Sequence, residues 1–484
     1  MTLQEIMQGI VTNSDLSAVH SLNVEKLCFD SRKVVPGTLF FCIRGETTDG
    51  HLYAQKAASA GAVAIVAEHQ TEADLPHILV ENSRKALFYA CANFFDHPEK
   101  DLKFIGVTGT NGKTSTTFFI KELLDAMGIQ SGLLGTVKNM IGQQVLPSGF
   151  TTPEPLQLFE IFAQMRQAGV KYVVMEISSH ALCQDRVAGL TFEVGVFTNL
   201  TQDHLDFHKT MEAYKEAKFN LFRQSKVSVF NVDDATGKEF AERSCEGKHY
   251  VTYSAAQNDA DFVARDIALH SDGLSFFLVT HGNLCRAKVS TPGKFTVYNA
   301  TAAVAALYSA GLPFGEITSH LSQLKNVDGR AQIVPTGKDF TVMLDYAHTP
   351  DALENILRTV RSYATGRVVT LFGCGGDRDR TKRPLMGEMA TKYSDFVIVT
   401  SDNPRTEQPA AIIADILPGV EQGSTPYIVI ENRKEAIGYA ISHAKKDDII
   451  LLAGKGHEKY QILSTGKIDF DEEQIVGEFI RDLK

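Results

Sequence analysis

The sequence predicts an α/β fold in three blocks: a small α/β N-terminal domain, a central domain built on a mostly parallel sheet with a phosphate loop, and a C-terminal α/β domain. Three observations carry this expectation. Apolar runs of strand length alternate with helical patterns along most of the chain, the mark of parallel sheets covered by helices. A Gly/Thr-rich turn, Thr108-Gly109-Thr110-Asn111-Gly112-Lys113-Thr114, lies between one such run and a helical stretch. The length of 484 residues, at about 100–200 residues per domain, makes two to four domains.

In the first block, strand-like runs occur at 39–43 and 62–67, followed by a helical pattern at 83–95. The polar, proline-containing segment 96–100 is the expected linker, which places the first boundary at residue 98. The second block, 99–327, opens with the buried-strand run 104–107 and a helix over 114–127, with Gly128 as its stop signal. Further strands are expected at 172–175, 194–197 and 227–232, hairpins within 262–289, and a helix over 296–310. The third block, 328–484, carries strand candidates at 340–344, 368–372, 396–400, 428–430 and 449–452, with helical stretches between them.

Composition narrows the class without naming a function. Hydrophobic residues make 44% of the chain and charged residues 22%, as in an ordinary globular protein. A net charge of −10 argues against binding nucleic acid through overall charge, so no nucleic-acid partner is expected. No apolar run reaches the ~18–20 residues of a membrane span, and the first residues lack a secretory pattern. Seven scattered cysteines form neither a CxxC pair nor a disulfide framework. A cytoplasmic monomer without membrane insertion is the expectation.

The sharpest motif is the phosphate loop. Backbone N–H groups at a helix N-terminus can cradle phosphates, Lys113 can reach the β/γ-phosphates, and the Thr114 hydroxyl can bind Mg²⁺. The pattern is a variant, because the first glycine of the strict form would fall at Val107. A nucleotide switch protein also begins this way, but no N-K-x-D base-recognition signature accompanies the loop.

At Thr110-Asn111-Gly112-Lys113-Thr114 the chain begins to resemble the Mur ligases, which build the peptide of the bacterial cell wall. Four stretches extend the resemblance in order: Glu176-Ile177-Ser178-Ser179-His180, Asp203-His204-Leu205-Asp206-Phe207-His208, Asp345-Tyr346-Ala347-His348-Thr349-Pro350 and Gly454-Lys455-Gly456-His457-Glu458. The resemblance implies a UDP-substrate domain, a central ATP-binding domain and a C-terminal Rossmann-like domain. Asp402-Asn403-Pro404-Arg405 resembles members that add meso-diaminopimelate to UDP-N-acetylmuramoyl-L-alanyl-D-glutamate. The implied chemistry is ATP-dependent, ADP-forming amide ligation through an acyl phosphate, since a carboxylate must be activated before an amine can attack it.

The resemblance also assigns residues. Gly109, Thr110, Asn111, Gly112, Lys113, Thr114 and Ser115 would bind ATP, with Asn299 near adenine and Arg330 and Asp345 approaching from the C-terminal domain. Ser115 stands where the family usually has threonine and keeps the hydroxyl. Lys113, Lys218 and His204 would be catalytic. Mg²⁺ would be held by Thr114, Glu176, His204 and a carbamylated Lys218. Without the resemblance, Lys218 reads as a solvated helix lysine and His204 as structural, because hard cations favour oxygen ligands. Ser31, Thr151, Thr152, Ser178, Gln184 and Arg186 would contact the UDP-substrate; without the resemblance, turn chemistry or a surface hydrogen bond is the commoner explanation of such residues. Arg378, Asp402, Asn403, Pro404, Arg405, Gly454 and Glu458 would bind diaminopimelate, Arg405 through its distal carboxylate and Glu458 through its ammonium. A folylpolyglutamate synthetase-like ligase and a non-catalytic nucleotide-binding switch are the competing expectations.

Overall fold

The computed structural model describes every residue except 16, 18, 46, 47, 245–248, 271, 272, 291, 292 and 484. The chain divides into two compact units. The first comprises Met1–Gly106, Gly128–Gly195 and Asn220–Lys226; the second comprises Val107–Met127, Val196–Phe219 and Val227–Lys484. The divisions expected at 98 and 327 fall inside these units.

The first unit contains a parallel sheet of four strands in chain order: Lys26–Cys28, Thr38–Phe41, Ala62–Ala67 and His77–Leu79. Phe40, Cys42, Ile65 and Ala67 form its core with Ala54 and Ala57 of the helical layer. The helix Ser83–Phe94 starts where the Asn82 side chain accepts from the Arg84 and Lys85 N–H groups, satisfying two of the donors that every helix start leaves open. The expected linker is a folded turn. Asp96 and His97 adopt positive φ, and buried Pro98 opens the 3-10 helix Pro98–Asp101. Arg166 donates to the Asp96 carbonyl and so ties this turn to the helix Pro155–Gln167. The same unit holds Ser131–Leu134 parallel to Tyr172–Glu176, with Asn139–Ile141 and Gln144–Leu146 added antiparallel.

In the second unit, residues 227–231 pair in parallel with the strand His249–Ser254, which pairs in parallel with the start of Phe262–His270. Gly273–Thr280 and Asn283–Val289 continue as antiparallel strands, within the segment 262–289 expected to hold hairpins; residues 271–272, between Phe262–His270 and Gly273–Thr280, lie outside the described residues. The helix Lys294–Ser309 is buried on nearly every side, from Thr296 to Leu307. Its abundance of alanine suits close packing all round.

The C-terminal sheet has six strands in the order Gln332–Val334, Thr341–Asp345, Ile449–Ala453, Val368–Phe372, Phe396–Val399, Tyr427–Val429. Only the first is antiparallel to its neighbour. Successive strand side chains point to opposite faces, and both faces are apolar here. Met343, Val368, Phe372 and Leu451 pack under the helices Pro350–Tyr363, Lys382–Tyr393 and Pro409–Val420. Val342, Leu344, Val369, Leu371, Ile450 and Leu452 pack under Arg433–Ser442 and Glu472–Asp482. A doubly covered parallel sheet explains why these strands read as continuous apolar runs. It also places their following loops together at the carboxyl edge, where such sheets bind ligands. No helix among the described residues is long and apolar enough to cross a membrane.

Candidate active site

The strand Lys103–Thr108 feeds the helix Lys113–Ala126 through the glycine turn. Val107 is fully buried in the strand, so the turn is made later, at Gly109 (φ 151°) and Gly112 (φ 84°). Neither position tolerates a side chain: a Cβ on Gly109 would lie 1.9 Å from Thr198 Oγ1, and one on Gly112 would lie 2.7 Å from Asn299 Oδ1. The missing glycine of the strict pattern is thereby explained. Thr110 N donates to the Asn199 carbonyl and Asn111 N to Asn199 Oδ1, both at 2.9 Å. Lys113 Nζ curls over the loop, donating to the carbonyls of Gly109 (2.9 Å) and Thr110 (2.8 Å).

A cavity of about 290 Å³ opens beside the loop, lined among others by Asn111, Gly112, Ser115, Asn299, Arg330 and Asp345. Asn299 sits against the phosphate loop, its Oδ1 accepting from Thr116 Oγ1 at 3.3 Å. Arg330 donates to Thr114 Oγ1 at 3.0 Å and lies over the Tyr346 ring. Asp345 accepts from the backbone N–H groups of Ala331 and Ala347, both at 2.8 Å. Burial pushes its carboxyl above the usual range, against the pull of Arg330 and those two N–H groups.

Lys218 is not a solvated lysine. It is 1% exposed, with Nζ 2.8 Å from the Gly109 carbonyl and 4.3 Å from the Tyr214 ring centroid. Burial, reinforced by the charge of Lys113, holds its amine well below the ordinary lysine range, while Asp203 opposes. His204 adopts the left-handed conformation (φ 55°), with Nε2 3.3 Å from Asp203 Oδ2. Lys382 Nζ stands 3.5 Å from Asp203 Oδ1, and His348 Nε2 3.8 Å from Oδ2. Burial alone would raise the Asp203 carboxyl, but Lys382, His204 and His348 outweigh it and keep it well below the usual range. Burial and Lys382 bring His348 down to about 4.

Glu176, Thr151, Thr152, Ser178, Gln184 and Arg186 belong to the first unit and form one network there. Glu176, at the end of Tyr172–Glu176, accepts from Thr136 N (2.9 Å) and Thr136 Oγ1 (3.0 Å), and that hydroxyl also meets Thr151 Oγ1. Thr152 Oγ1 donates to the Glu176 carbonyl and accepts from Ser178 N. Ser178 caps the helix Ser179–Cys183. The Arg186 guanidinium donates to the Thr152 carbonyl and to Gln184 Oε1, and pairs with Glu154 at 2.9 Å. Ser31 lies elsewhere in this unit, opening the 3-10 helix Ser31–Lys33 capped by Asp30.

The remaining candidates gather on the carboxyl-edge loops of the C-terminal sheet. Arg378 follows Val368–Phe372; Asp402, Asn403, Pro404 and Arg405 follow Phe396–Val399; Gly454 and Glu458 follow Ile449–Ala453. Arg405 adopts φ 53° and donates through Nη1 to the Gly376 carbonyl at 2.8 Å. Both arginines border Gly375, where a Cβ would lie 2.8 Å from Arg405 Nη1 and 3.7 Å from Arg378 Cγ; burial and the nearby Arg378 charge lower the Arg405 pKa. Asn403 Nδ2 donates to Glu458 Oε2 at 2.8 Å. Gly454 (φ 113°) permits Asp402 to come close: a Cβ there would lie 2.6 Å from Asp402 Oδ2.

Sequence reasoning passed over several members of these clusters. Asp203 and Lys382, both buried, form an ion pair, with the half-exposed His348 ring beside Asp203. Lys455, wholly buried, places Nζ 3.2 Å from both Asn403 Oδ1 and Glu458 Oε2, so the expected ammonium-binding carboxylate already faces one. Arg383 is wholly buried against Glu407 and Asp415. The available signal was charge where apolar periodicity predicts core: Lys382 and Arg383 occupy the first turn of a covering helix.

Three family models match in chain order: "Mur ligase family, catalytic domain" over residues 23–95, "Mur ligase middle domain" over 107–307 and "Mur ligase, glutamate ligase domain" over 329–456. UDP-N-acetylmuramoyl-L-alanyl-D-glutamate–2,6-diaminopimelate ligase 1 of Clostridium acetobutylicum is 47% identical over 468 residues, 96% of each chain. A solved UDP-N-acetylmuramoyl-L-alanyl-D-glutamate–2,6-diaminopimelate ligase matches with a TM-score of 0.69 and 32% identity, covering 100% of this chain and 99% of that one. Folylpolyglutamate synthase of Mycobacterium tuberculosis, with ADP and AMPPCP, covers 77% of this chain at 16% identity (TM-score 0.63, 93% of that chain), a likeness of fold alone.

Proposed function

Starting from the fact that this chain belongs to the Mur ligase family, we propose that it joins meso-diaminopimelate to UDP-N-acetylmuramoyl-L-alanyl-D-glutamate in peptidoglycan precursor synthesis. It is an ATP-dependent, ADP-forming acid–amino acid ligase. The observation that carries the choice of substrate is the pair of arginines, Arg378 and Arg405, which border Gly375 on the loops after two neighbouring strands, in the unit that also holds the phosphate loop. Diaminopimelate differs from lysine chiefly by a distal carboxylate, and a guanidinium can bind both of its oxygens.

The γ-carboxylate of D-glutamate attacks the γ-phosphorus of ATP, giving an acyl phosphate and releasing ADP. The amine of diaminopimelate then attacks the acyl carbon and phosphate leaves. Such transfers depend on positioning and on neutralising charge. Lys113 and the N-terminus of Lys113–Ala126 offer cationic and N–H partners to the phosphates. Gly109, Thr110, Asn111, Gly112, Thr114 and Ser115 shape the cradle, and Asn299, Arg330 and Asp345 close it. Thr114, Glu176, His204 and a carbamylated Lys218 would hold Mg²⁺, which supplies charge neutralisation on the transferring phosphoryl group. The buried, weakly basic Lys218 amine suits that modification, because carbamylation requires the neutral amine. Carbamylation also adds CO₂ to that nitrogen, with loss of a proton, and so would present the carboxylate oxygens that Mg²⁺ favours. Ser31, Thr151, Thr152, Ser178, Gln184 and Arg186 bind the sugar nucleotide. Asp402, Asn403, Pro404, Gly454 and Glu458 hold the amino-acid end of diaminopimelate beside the two arginines.

In this reading residues 1–98 bind the UDP-substrate, 99–327 bind ATP and 328–484 bind the amino acid; the matched family segments fall within these limits. We take the enzyme to act as a monomer in the cytoplasm, and the scattered cysteines, with no CxxC pair, support a reducing compartment. Phosphate release should require ATP, the UDP-muramyl dipeptide and diaminopimelate together. Release with a folate and glutamate but without the sugar nucleotide would favour the folylpolyglutamate reading, and no release under any combination would leave a nucleotide-binding protein.

A further inference from the structure

The loops that carry Arg378 and Arg405 follow neighbouring parallel strands and are stitched to each other. Gly376 N donates to the Asn403 carbonyl at 2.9 Å, and Arg405 Nη1 donates back to the Gly376 carbonyl. The approach is close enough that a Cβ on Gly376 would lie 1.9 Å from the Pro404 carbonyl oxygen. Asp377 and Arg405 both adopt φ 53°, a left-handed conformation that non-glycine residues hold only when their surroundings impose it.

An ion network anchored on a buried arginine braces both loops. The Arg383 guanidinium, wholly buried in the first turn of Lys382–Tyr393, grips Glu407 with two bonds: Nη2 to Oε1 at 2.7 Å and Nη1 to Oε2 at 3.0 Å. Its Nη1 also donates to Asp415 Oδ2 at 2.8 Å, and Nη2 reaches the Gly375 carbonyl at 3.3 Å. Glu407 Oε1 in turn accepts the Asp377 N–H at 2.6 Å. Asp377 completes the ring by accepting from Thr406 Oγ1 (2.7 Å) and Thr406 N (3.2 Å). Each arginine of the pair is therefore next in sequence to a braced residue: Arg378 follows Asp377, and Arg405 precedes Thr406.

We propose that Glu407, clamped by Arg383, and Asp377 are positioning residues that hold Arg378 and Arg405 at the spacing needed to take one carboxylate of the incoming amino acid. The inference rests on the proposed diaminopimelate reading and extends it to residues that do not touch the substrate. Two guanidinium groups repel each other, and in the absence of a ligand they would drift apart on independent loops. The Glu407–Arg383 pair is the counterweight. Its bonds to Arg383, with burial opposing, bring the Glu407 carboxyl down to about 2, so it stays ionised across the physiological range. A bidentate pair anchored on a wholly buried guanidinium resists such drift better than a single bond between two exposed side chains.

The test uses the full-length enzyme and three variants. Glu407→Gln keeps the side-chain shape but weakens the clamp. Asp377→Ala removes the exposed pin to Thr406 without disturbing buried Arg383, and serves if the first variant fails to fold. Arg405→Ala reports on the pocket itself. Both positioning variants should raise KM for diaminopimelate about tenfold or more and lower the preference for diaminopimelate over lysine by a similar factor. Their kcat and their KM for ATP and the UDP-muramyl dipeptide should stay within about twofold, a split that general loosening would not produce. Unchanged diaminopimelate KM in both positioning variants, or a parallel fall with diaminopimelate and lysine, overturns the brace. If Arg405→Ala also leaves diaminopimelate KM unchanged, the pocket reading beneath it fails as well.

Discussion

Lys382→Met probes the charge cluster beside the phosphate loop. Lys382 Nζ and Asp203 Oδ1 are 3.5 Å apart, on side chains only 6% and 7% exposed. At an effective dielectric constant of about 20, two unit charges at that distance attract by roughly 5 kcal/mol, and breaking one partner of a buried pair typically costs about 3–5 kcal/mol. His348 remains beside Asp203 and, without the Lys382 charge that holds its pKa down, can take up a proton more readily in the variant, which offsets part of the loss. We therefore expect a destabilisation of about 2–4 kcal/mol near pH 8. The pH dependence has a definite sign. In the wild type the depressed Asp203 carboxyl contributes stability that is present above the unfolded aspartate pKa of about 4 and is lost only in stronger acid. In the variant both His348 and Asp203 titrate higher, so the native state binds more protons than the wild type does near pH 6. Its stability deficit must then shrink as pH falls from about 8 to about 6. Denaturant unfolding of both proteins at the two pH values, with NMR titration of the His348 ring, measures this. A deficit below about 1 kcal/mol near pH 8, or one that widens toward pH 6, would refute the proposed ion cluster.

Lys113→Ala should lower ligation by roughly 10²–10³-fold or more while leaving the melting curve nearly unchanged, because contacts to a transferring phosphoryl group act mainly in the transition state; near-normal turnover of folded variant would remove the phosphate-loop role. Lys218→Ala should be nearly inactive, with partial recovery in short-chain carboxylic acids that supply oxygen donors, and mass spectrometry of the wild type under CO₂ should show the added carbamate; full activity without additive would make Lys218 a packing residue. Gly109→Ala should abolish ATP binding or folding, because its Cβ would overlap Thr198 Oγ1 at 1.9 Å, and wild-type nucleotide affinity in that variant would show that the loop is shaped differently. Arg405→Ala should lose most diaminopimelate turnover through KM; a wild type that prefers lysine over diaminopimelate contradicts the assignment outright.

The α/β class was legible because both faces of the C-terminal sheet are covered. Val342, Met343 and Leu344 read as one apolar run, and the structure sends alternate members to opposite cores. The glycine turn was legible for a local reason: left-handed backbone at Gly112 and the close approach at Gly109 are demands that a short sequence window states by itself. The folded turn at Asp96–Asp101 was not, since proline and polar residues mark a turn and a linker alike.

Burial is the property that the sequence leaves undetermined. Lys218 lies among Lys215 and Glu216 on an amphipathic helix and looks solvated, yet the fold encloses it at 1% exposure over the Gly109 carbonyl. Asp203, His348 and Lys382 are separated by some 180 residues of chain, and Arg383, Glu407 and Asp377 sit on different segments; packing between loops of two different sheets brings the first set together, and strand order within the C-terminal sheet the second. Motifs state which residue types chemistry needs within a few positions. Whether a charge is desolvated, and which distant charge compensates it, depends on long-range packing, and that was decided by the tertiary structure alone.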